Sequence, residues 1–217
     1  MGKPIKGAVD YSAVLRRAAV GSAELASLLL EDLPYVWRDA YIDMTPRQTN
    51  VVRWQYGTFE YLFDDHASLE TTEAVPQDPN VEARLIAALG RSRPRETARD
   101  DYRLKGWIGA TEKMFGREWD KGHFIAHSIG GAVDGLEVNV FVQRRDLNRG
   151  WSEAGKRFRE MEQYCVLDRG TVCFSRPLFV DETARPAFVE FGVLKDSGEL
   201  WVECFDNSGD RSPQPED

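Results

Sequence analysis

The chain is short of cysteine. Its 217 residues hold three, Cys165, Cys173 and Cys204, with no Cys-x-x-Cys pair among them. An odd, scattered set fits neither a zinc site nor a dense disulfide framework, so buried thiols in strands are the expectation. Long apolar runs are missing as well. A membrane-spanning helix needs roughly 18 consecutive apolar residues, and the best candidate, Ala23 to Leu30, is interrupted by Glu24 and stops at Glu31 and Asp32. The opening stretch Met1 to Lys6 has no apolar core of a secretory leader. No membrane partner is expected, and the protein is read as cytoplasmic or exported without a cleaved signal peptide. No internal repeat is present.

Apolar residues make up 42% of the chain and aromatic residues 11%, enough for a core and against wholesale disorder. The length suits one domain with an extension, or at most two small domains. A net charge of −8 argues at first against a nucleic-acid partner, but the charge is uneven. Residues 1–90 hold 8 basic and 13 acidic side chains, residues 91–160 hold 15 and 11, and residues 161–217 hold 5 and 12. The middle segment alone is net positive, and a local basic surface on an acidic protein still holds phosphates.

Patterning predicts a helix over 10–33, ended by Pro34, with Ala13, Val14, Ala18, Leu25, Leu28 and Leu29 on its apolar face. Val51 to Phe63 reads as a strand, 64–67 as a turn, Leu69 to Val75 as the return strand and Pro76 to Asn80 as a loop. Val81 to Leu89 reads as a short helix stopped by Gly90. Arg91 to Lys105, basic and proline-interrupted, reads as an exposed connection whose arginines reach phosphates or solvent. Glu137 to Gln143 alternates like a strand, and Ala154 to Tyr164 reads as a helix with Phe158 and Met161 inward. Val172–Leu178, Ala187–Leu194 and Glu199–Phe205 read as strands, the last two joined by a turn at Asp196 to Gly198. The acidic tail 207–217 is expected to be disordered.

The chemistry concentrates between Asp120 and Glu162. His123 sits in a Gly-containing segment, with Gly130, Gly131, Asn139, Gln143, Asn148, Trp151, Met161 and Glu162 after it. A neutral imidazole takes a proton from water near pH 7. An asparagine oxygen is a hard, neutral ligand that Mg²⁺ accepts, with waters completing the shell. A base and a metal together suffice to cut a phosphodiester. His123 and His127, four apart, do not make a zincin helix, because Phe124 stands where the glutamate belongs; His127 is expected to pack or to line the mouth of the site.

Asp120-Lys121-Gly122-His123 resembles the Asp-Arg-Gly-His signature of the DNA/RNA non-specific endonucleases of the ββα-metal superfamily. The later residues follow in that family's order, and the match is closest to the bacterial branch of DNA-entry and toxin-type nucleases. It is tight over 120–164 and looser over 50–205, and it does not extend to 1–45. The resemblance implies an α+β fold, an antiparallel sheet flanked by helices with a ββα-metal (His-Me finger) motif. It implies a nuclease domain over 50–206, and residues 1–45, outside the resemblance, are read as an N-terminal helical extension of unknown role.

The resemblance casts His123 as general base and Asn148 as the direct Mg²⁺ ligand, Mn²⁺ being a possible substitute, with Asp120 behind that ligand. Ser152 is free to cap the following helix, which leaves Asn148 to the metal. Asn139 is implied to position substrate or His123, and Glu162 matches the branch's acidic residue. Fourteen residues of unbroken helix would span about 21 Å, so either the chain breaks at Gly150 and Gly155 or Glu162 works through packing or an arginine. Glu160 is the alternative acid. Lys121 replaces the usual arginine, keeping the charge and losing the bidentate fork, with Gln143, Arg144, Arg145 and Arg149 as further phosphate contacts. The expected activity is sequence-non-specific cleavage of DNA and/or RNA leaving 5′-phosphate and 3′-hydroxyl ends. Two rivals remain: a catalytically weak nucleic-acid-binding or interaction module on the same fold, and a toxin effector with a protein inhibitor or delivery partner.

Overall fold

The computed structural model describes residues 7–17, 22–65, 83–95, 116–132 and 137–209. Within them the protein is a mixed α+β structure. Helices α1 (Tyr11–Arg17) and α2 (Ser22–Met44) lead into strands β1 (Val51–Tyr56), β2 (Phe59–Asp64) and β3 (Arg84–Arg91). Strands β4 (Trp119–His123) and β5 (Val140–Arg144) follow, with 3₁₀ turns at His127–Ile129 and Glu137–Asn139 between them. Then come helices α3 (Arg145–Asn148) and α4 (Glu153–Leu167) and strands β6 (Val172–Leu178), β7 (Phe188–Leu194) and β8 (Leu200–Asp206). Six strands form an antiparallel sheet in the order β1-β2-β3-β6-β7-β8, while β4 and β5 pair separately. No helix among the described residues is long and apolar enough to cross a membrane.

The sheet is covered on both faces. On one, α2 places Leu25, Leu29, Leu33, Trp37 and Tyr41 at every fourth position, a single stripe packed on Leu62, Ile86, Leu89 and Phe174. On the other, α4 contributes Phe158, Met161 and Cys165, and the segments around β4 and β5 contribute Phe124, Ile125 and Phe141, against Tyr61, Val189, Phe191 and Phe205. The N-terminal helix is therefore a layer of the unit that carries the β4–β5 pair. Buried polar bonds tie it down: Tyr41 Oη donates to Asp64 Oδ2 at 2.8 Å, and Tyr11 Oη to Glu190 Oε2 at 2.7 Å.

Five elements differ from the sequence-based expectation. The N-terminal helix does not end at Pro34; α2 runs through it to Met44. An internal proline removes one hydrogen bond and costs about 3 kcal/mol, which the continued burial of Trp37 and Tyr41 offsets. The 51–63 stretch is two strands, not one, because Tyr56 pairs with Phe59 across a two-residue turn at Gly57 and Thr58. Asp64, expected in a turn, is fully buried at the end of β2; the expected return strand 69–75 and loop 76–80 lie outside the described residues. The expected helix 81–89 is strand β3. Its run from Leu85 to Leu89 is buried on both faces, and such a strand carries no alternation to distinguish it from a helix. The strand expected over 137–143 begins only at Val140, after the 3₁₀ turn.

Helix α4 and strands β6, β7 and β8 lie where patterning puts them, and Gly198 N closes the β7–β8 turn on Lys195 O at 2.9 Å. Cys165 sits in α4 rather than in a strand, Cys173 is buried in β6, and Cys204 in β8 is exposed; all three are free thiols. Asn207, read as tail, is fully buried and bonded to Val142 O and Pro186 O; residues 210–217 lie outside the described residues. So does 96–105 of the expected connection; in its described part Arg91, Pro94 and Arg95 are exposed and Ser92 is buried.

Candidate functional site

The antiparallel β4–β5 pair sets the base of the site, matching Asp120 with Gln143, Gly122 with Phe141 and His123 with Val140. Gly122 is required there: a Cβ would stand 2.1 Å from Gln143 Oε1 and 2.6 Å from Gln143 Cβ. Gln143 itself is buried under that strand and does not line the cleft, unlike the phosphate contact expected of it. Asn139 is also fully buried. Its Oδ1 accepts from Ile125 N at 2.9 Å, and its Nδ2 donates to Ile125 O at 2.9 Å and Ala132 O at 2.8 Å. Asn139 thus fixes the loop that leaves His123; of its two expected roles, contact with substrate is the one its burial rules out.

An open cleft of about 540 Å³ gathers Asp120, Lys121, His123 and His127 from the β4 side with Asn148, Arg149, Arg159 and Glu162 from the helices. The chain reaches this arrangement through the break foreseen at the glycines. Gly150 takes φ +70°, Ser152 caps α4 by accepting from Gly155 N at 3.0 Å, and α3 and α4 touch at Gly155, where a Cβ would stand 2.4 Å from Asp146 O. The helix is interrupted between Asn148 and Glu153, and Glu162 lines the same cleft as Asn148. The connection is Arg159: it donates to Asn148 O at 2.5 Å and to Glu162 Oε2 at 3.3 Å. Glu160 is on another face, exposed and paired with Arg157.

Asp120 is the electrostatic centre. It accepts from Arg149 Nε at 2.6 Å, Arg145 Nε at 2.9 Å and Asn148 Nδ2 at 3.3 Å. Burial alone would raise its pKa, but these three donors outweigh it and hold the carboxyl below the usual range. Glu162 shows the opposite balance. It is 8% exposed, burial pushes it up to about 7, and the Arg159 guanidinium only partly counters this. Lys121 is shifted down by desolvation.

The expected cations separate. Arg149 and Lys121 line the cleft. Arg144 is committed to Asp146 at 2.8 Å, and with Arg145 it lines a second cavity instead. Arg95, from the connection whose arginines were expected to reach phosphates or solvent, lines the cleft, and so does Arg159, which sequence reasoning left out. Arg159 stands three residues before Glu162, a spacing that puts both on one helix face and that would have flagged it.

The donors suit a hard, largely hydrated cation. Asn148 has its Nδ2 engaged by Asp120, which leaves Oδ1 as its donor atom, and it shares the cleft with the Glu162 carboxylate. Among the described residues no group of three or more His, Cys, Asp or Glu gathers into a metal cage, as a structural zinc site would require. No family model matches the chain, and no curated protein matches it.

Proposed function

We propose that the protein is a metal-dependent, sequence-non-specific endonuclease that hydrolyses phosphodiesters of DNA and/or RNA, with β4, β5 and the helices after them forming a ββα-metal unit. The observation that carries the proposal is the convergence of His123, Asn148 and Glu162 with Lys121, Arg149 and Arg159 in one cleft, where Asp120 and Asn148 bond to each other across 28 residues of sequence.

His123 is the general base. Its Nε2 is buried within the protein, so Nδ1 is the nitrogen that takes the proton from the attacking water. Proton abstraction of this kind is worth roughly 10²–10⁴ in rate. The hydroxide attacks phosphorus, the bond to the 3′ oxygen breaks, and 5′-phosphate and 3′-hydroxyl ends result. Lys121, Arg149 and Arg159 hold phosphate oxygens and carry no sequence information. Asn148 would hold the Mg²⁺, Asp120 orients the Asn148 amide, and Arg159 ties Glu162 to the same turn. When bound, the cation supplies a Lewis acid that neutralises charge on the phosphate and the leaving oxygen.

The test is incubation of purified protein with plasmid and with RNA, in Mg²⁺ and in EDTA. Cleavage in Mg²⁺ alone is expected, and His123→Ala should lower it by at least ~10² with an unchanged circular dichroism spectrum. Full activity in EDTA, or in the folded His123→Ala protein, would refute the reading.

A further inference from the structure

Trp151 has no part in this hydrolytic scheme, yet the structure displays it. The residue is 63% exposed, and an indole left in water beside a functional cleft is a surface waiting for a partner. It is held rather than loose: Trp151 N donates to Asp146 O at 2.9 Å, directly after the left-handed Gly150. The Arg149 guanidinium lies 5.2 Å from its ring centroid. The same guanidinium donates to Asp120 inside the cleft, so the ring stands one side chain away from the proposed phosphate position.

Trp151 also lines the second cavity, about 440 Å³, together with Trp119, Arg144, Arg145 and Ser152. Three arginines line it: Arg144 is bound to Asp146 and Arg145 to Asp120, while Arg117 joins the lining with Glu118. A cavity lined by two tryptophans, with two of its three guanidinium groups charge-compensated and two carboxylates, Glu118 and Asp146, in the same lining, suits a flat, weakly polar ring better than a bare phosphate. The cleft next to it, lined chiefly by ionic side chains, is the reverse.

We propose that Trp151 is a stacking platform for an unpaired nucleobase flanking the phosphodiester in the cleft, so that single-stranded or locally opened nucleic acid is the preferred substrate. The inference rests on the endonuclease reading above. Stacking of one base on an aromatic side chain corresponds to roughly 5- to 150-fold in affinity. In closed duplex the base must first leave its own stack, which cancels much of that gain. Because every base has a flat face, the platform keeps the enzyme indifferent to sequence while making it sensitive to strandedness.

The experiment compares wild type, Trp151→Ala and Trp151→Phe. Anisotropy reports their binding to labelled short single strands of DNA and RNA and to matched duplex DNA, with Ca²⁺ replacing Mg²⁺ to suppress turnover. Trp151→Ala is expected to weaken single-strand binding roughly 5- to 150-fold and duplex binding by clearly less. Trp151→Phe should keep most of the affinity. An abasic site moved along the strand should reproduce the loss at one position in wild type and add nothing there in Trp151→Ala. Equal losses on single strand and duplex, no loss in Trp151→Ala, or no single-strand binding by wild type would overturn the proposal. Cleavage assays in Mg²⁺ separate the two readings. A protein that binds through Trp151 but never cuts overturns the endonuclease reading and leaves the platform standing; one that cuts equally well with Trp151→Ala does the opposite.

Discussion

A carboxyl group as deeply buried as Glu162 has to be held charged by neighbours or become neutral, and among the described residues its counter-charge is the half-exposed Arg159 at 3.3 Å. Burial wins, and the group titrates near 7 against an ordinary 4.5. The sign follows from proton counts. Between these two values the folded protein holds a proton that the unfolded chain has released, so stability falls as pH rises through that window. A shift of this size corresponds to about 3 kcal/mol, fully present below pH ~4.5 and lost by pH ~7. Urea unfolding of the metal-free protein at pH 5 and pH 8 should show that fall, and Glu162→Gln should flatten it by gaining stability at pH 8. An unchanged pH profile in Glu162→Gln would remove Glu162 as its source. His123, Asn148, Lys121 and Glu162, which line one cleft, are legible in the sequence as a set because their types and order carry the resemblance on which the proposed function rests. Their partners are less so: Arg159 and Arg145 are ordinary arginines until the fold sets one against Glu162 and the other against Asp120.

The β4–β5 pair is too short to be rigid alone, and the loop after His123 is stapled back to it by Asn139. Replacing Asn139 with alanine strands three backbone groups in a buried place. The expected cost is about 2–4 kcal/mol, read as a lower denaturation midpoint. Because that loop leaves directly from His123 at the end of β4, kcat should fall while Mg²⁺ dependence, set by Asn148 on α3, stays as in wild type. A weakened metal response would instead make Asn139 part of the metal site. Sequence periodicity explains which elements can be anticipated. Strands β7 and β8 join through an Asp-Ser-Gly turn, and α4 has a serine cap and an inward Phe158 and Met161. Strand β3 escapes because both its faces are buried, and the length of α2 escapes because a proline rule is local while the stripe from Leu25 to Tyr41 is tertiary.

Over the whole molecule, a charge count places 15 basic and 11 acidic residues between 91 and 160, but among the described residues several of the cations are paired. Arg144 is bound by Asp146, Arg145 by Asp120, and Arg157 by Glu160. The cations that line the cleft are Arg95, Lys121, Arg149 and Arg159, of which Arg149 and Arg159 are shared with Asp120 and Glu162. The acidic remainder of a chain of net −8 repels long stretches of duplex from other surfaces. Binding should therefore be confined to a few phosphates, with affinity falling as salt rises at a log–log slope of about 2–4. Lys121→Gln and Arg95→Gln should each lower the slope by about 1 on every sequence alike. Arg157→Gln, off the cleft, should leave it as it was. Titrations between low and moderate salt on several unrelated oligonucleotides measure this. A slope well above 4 would place phosphates on a wider surface than the cleft, and a change in which sequences are cut would mean that base edges, not phosphates, are being read.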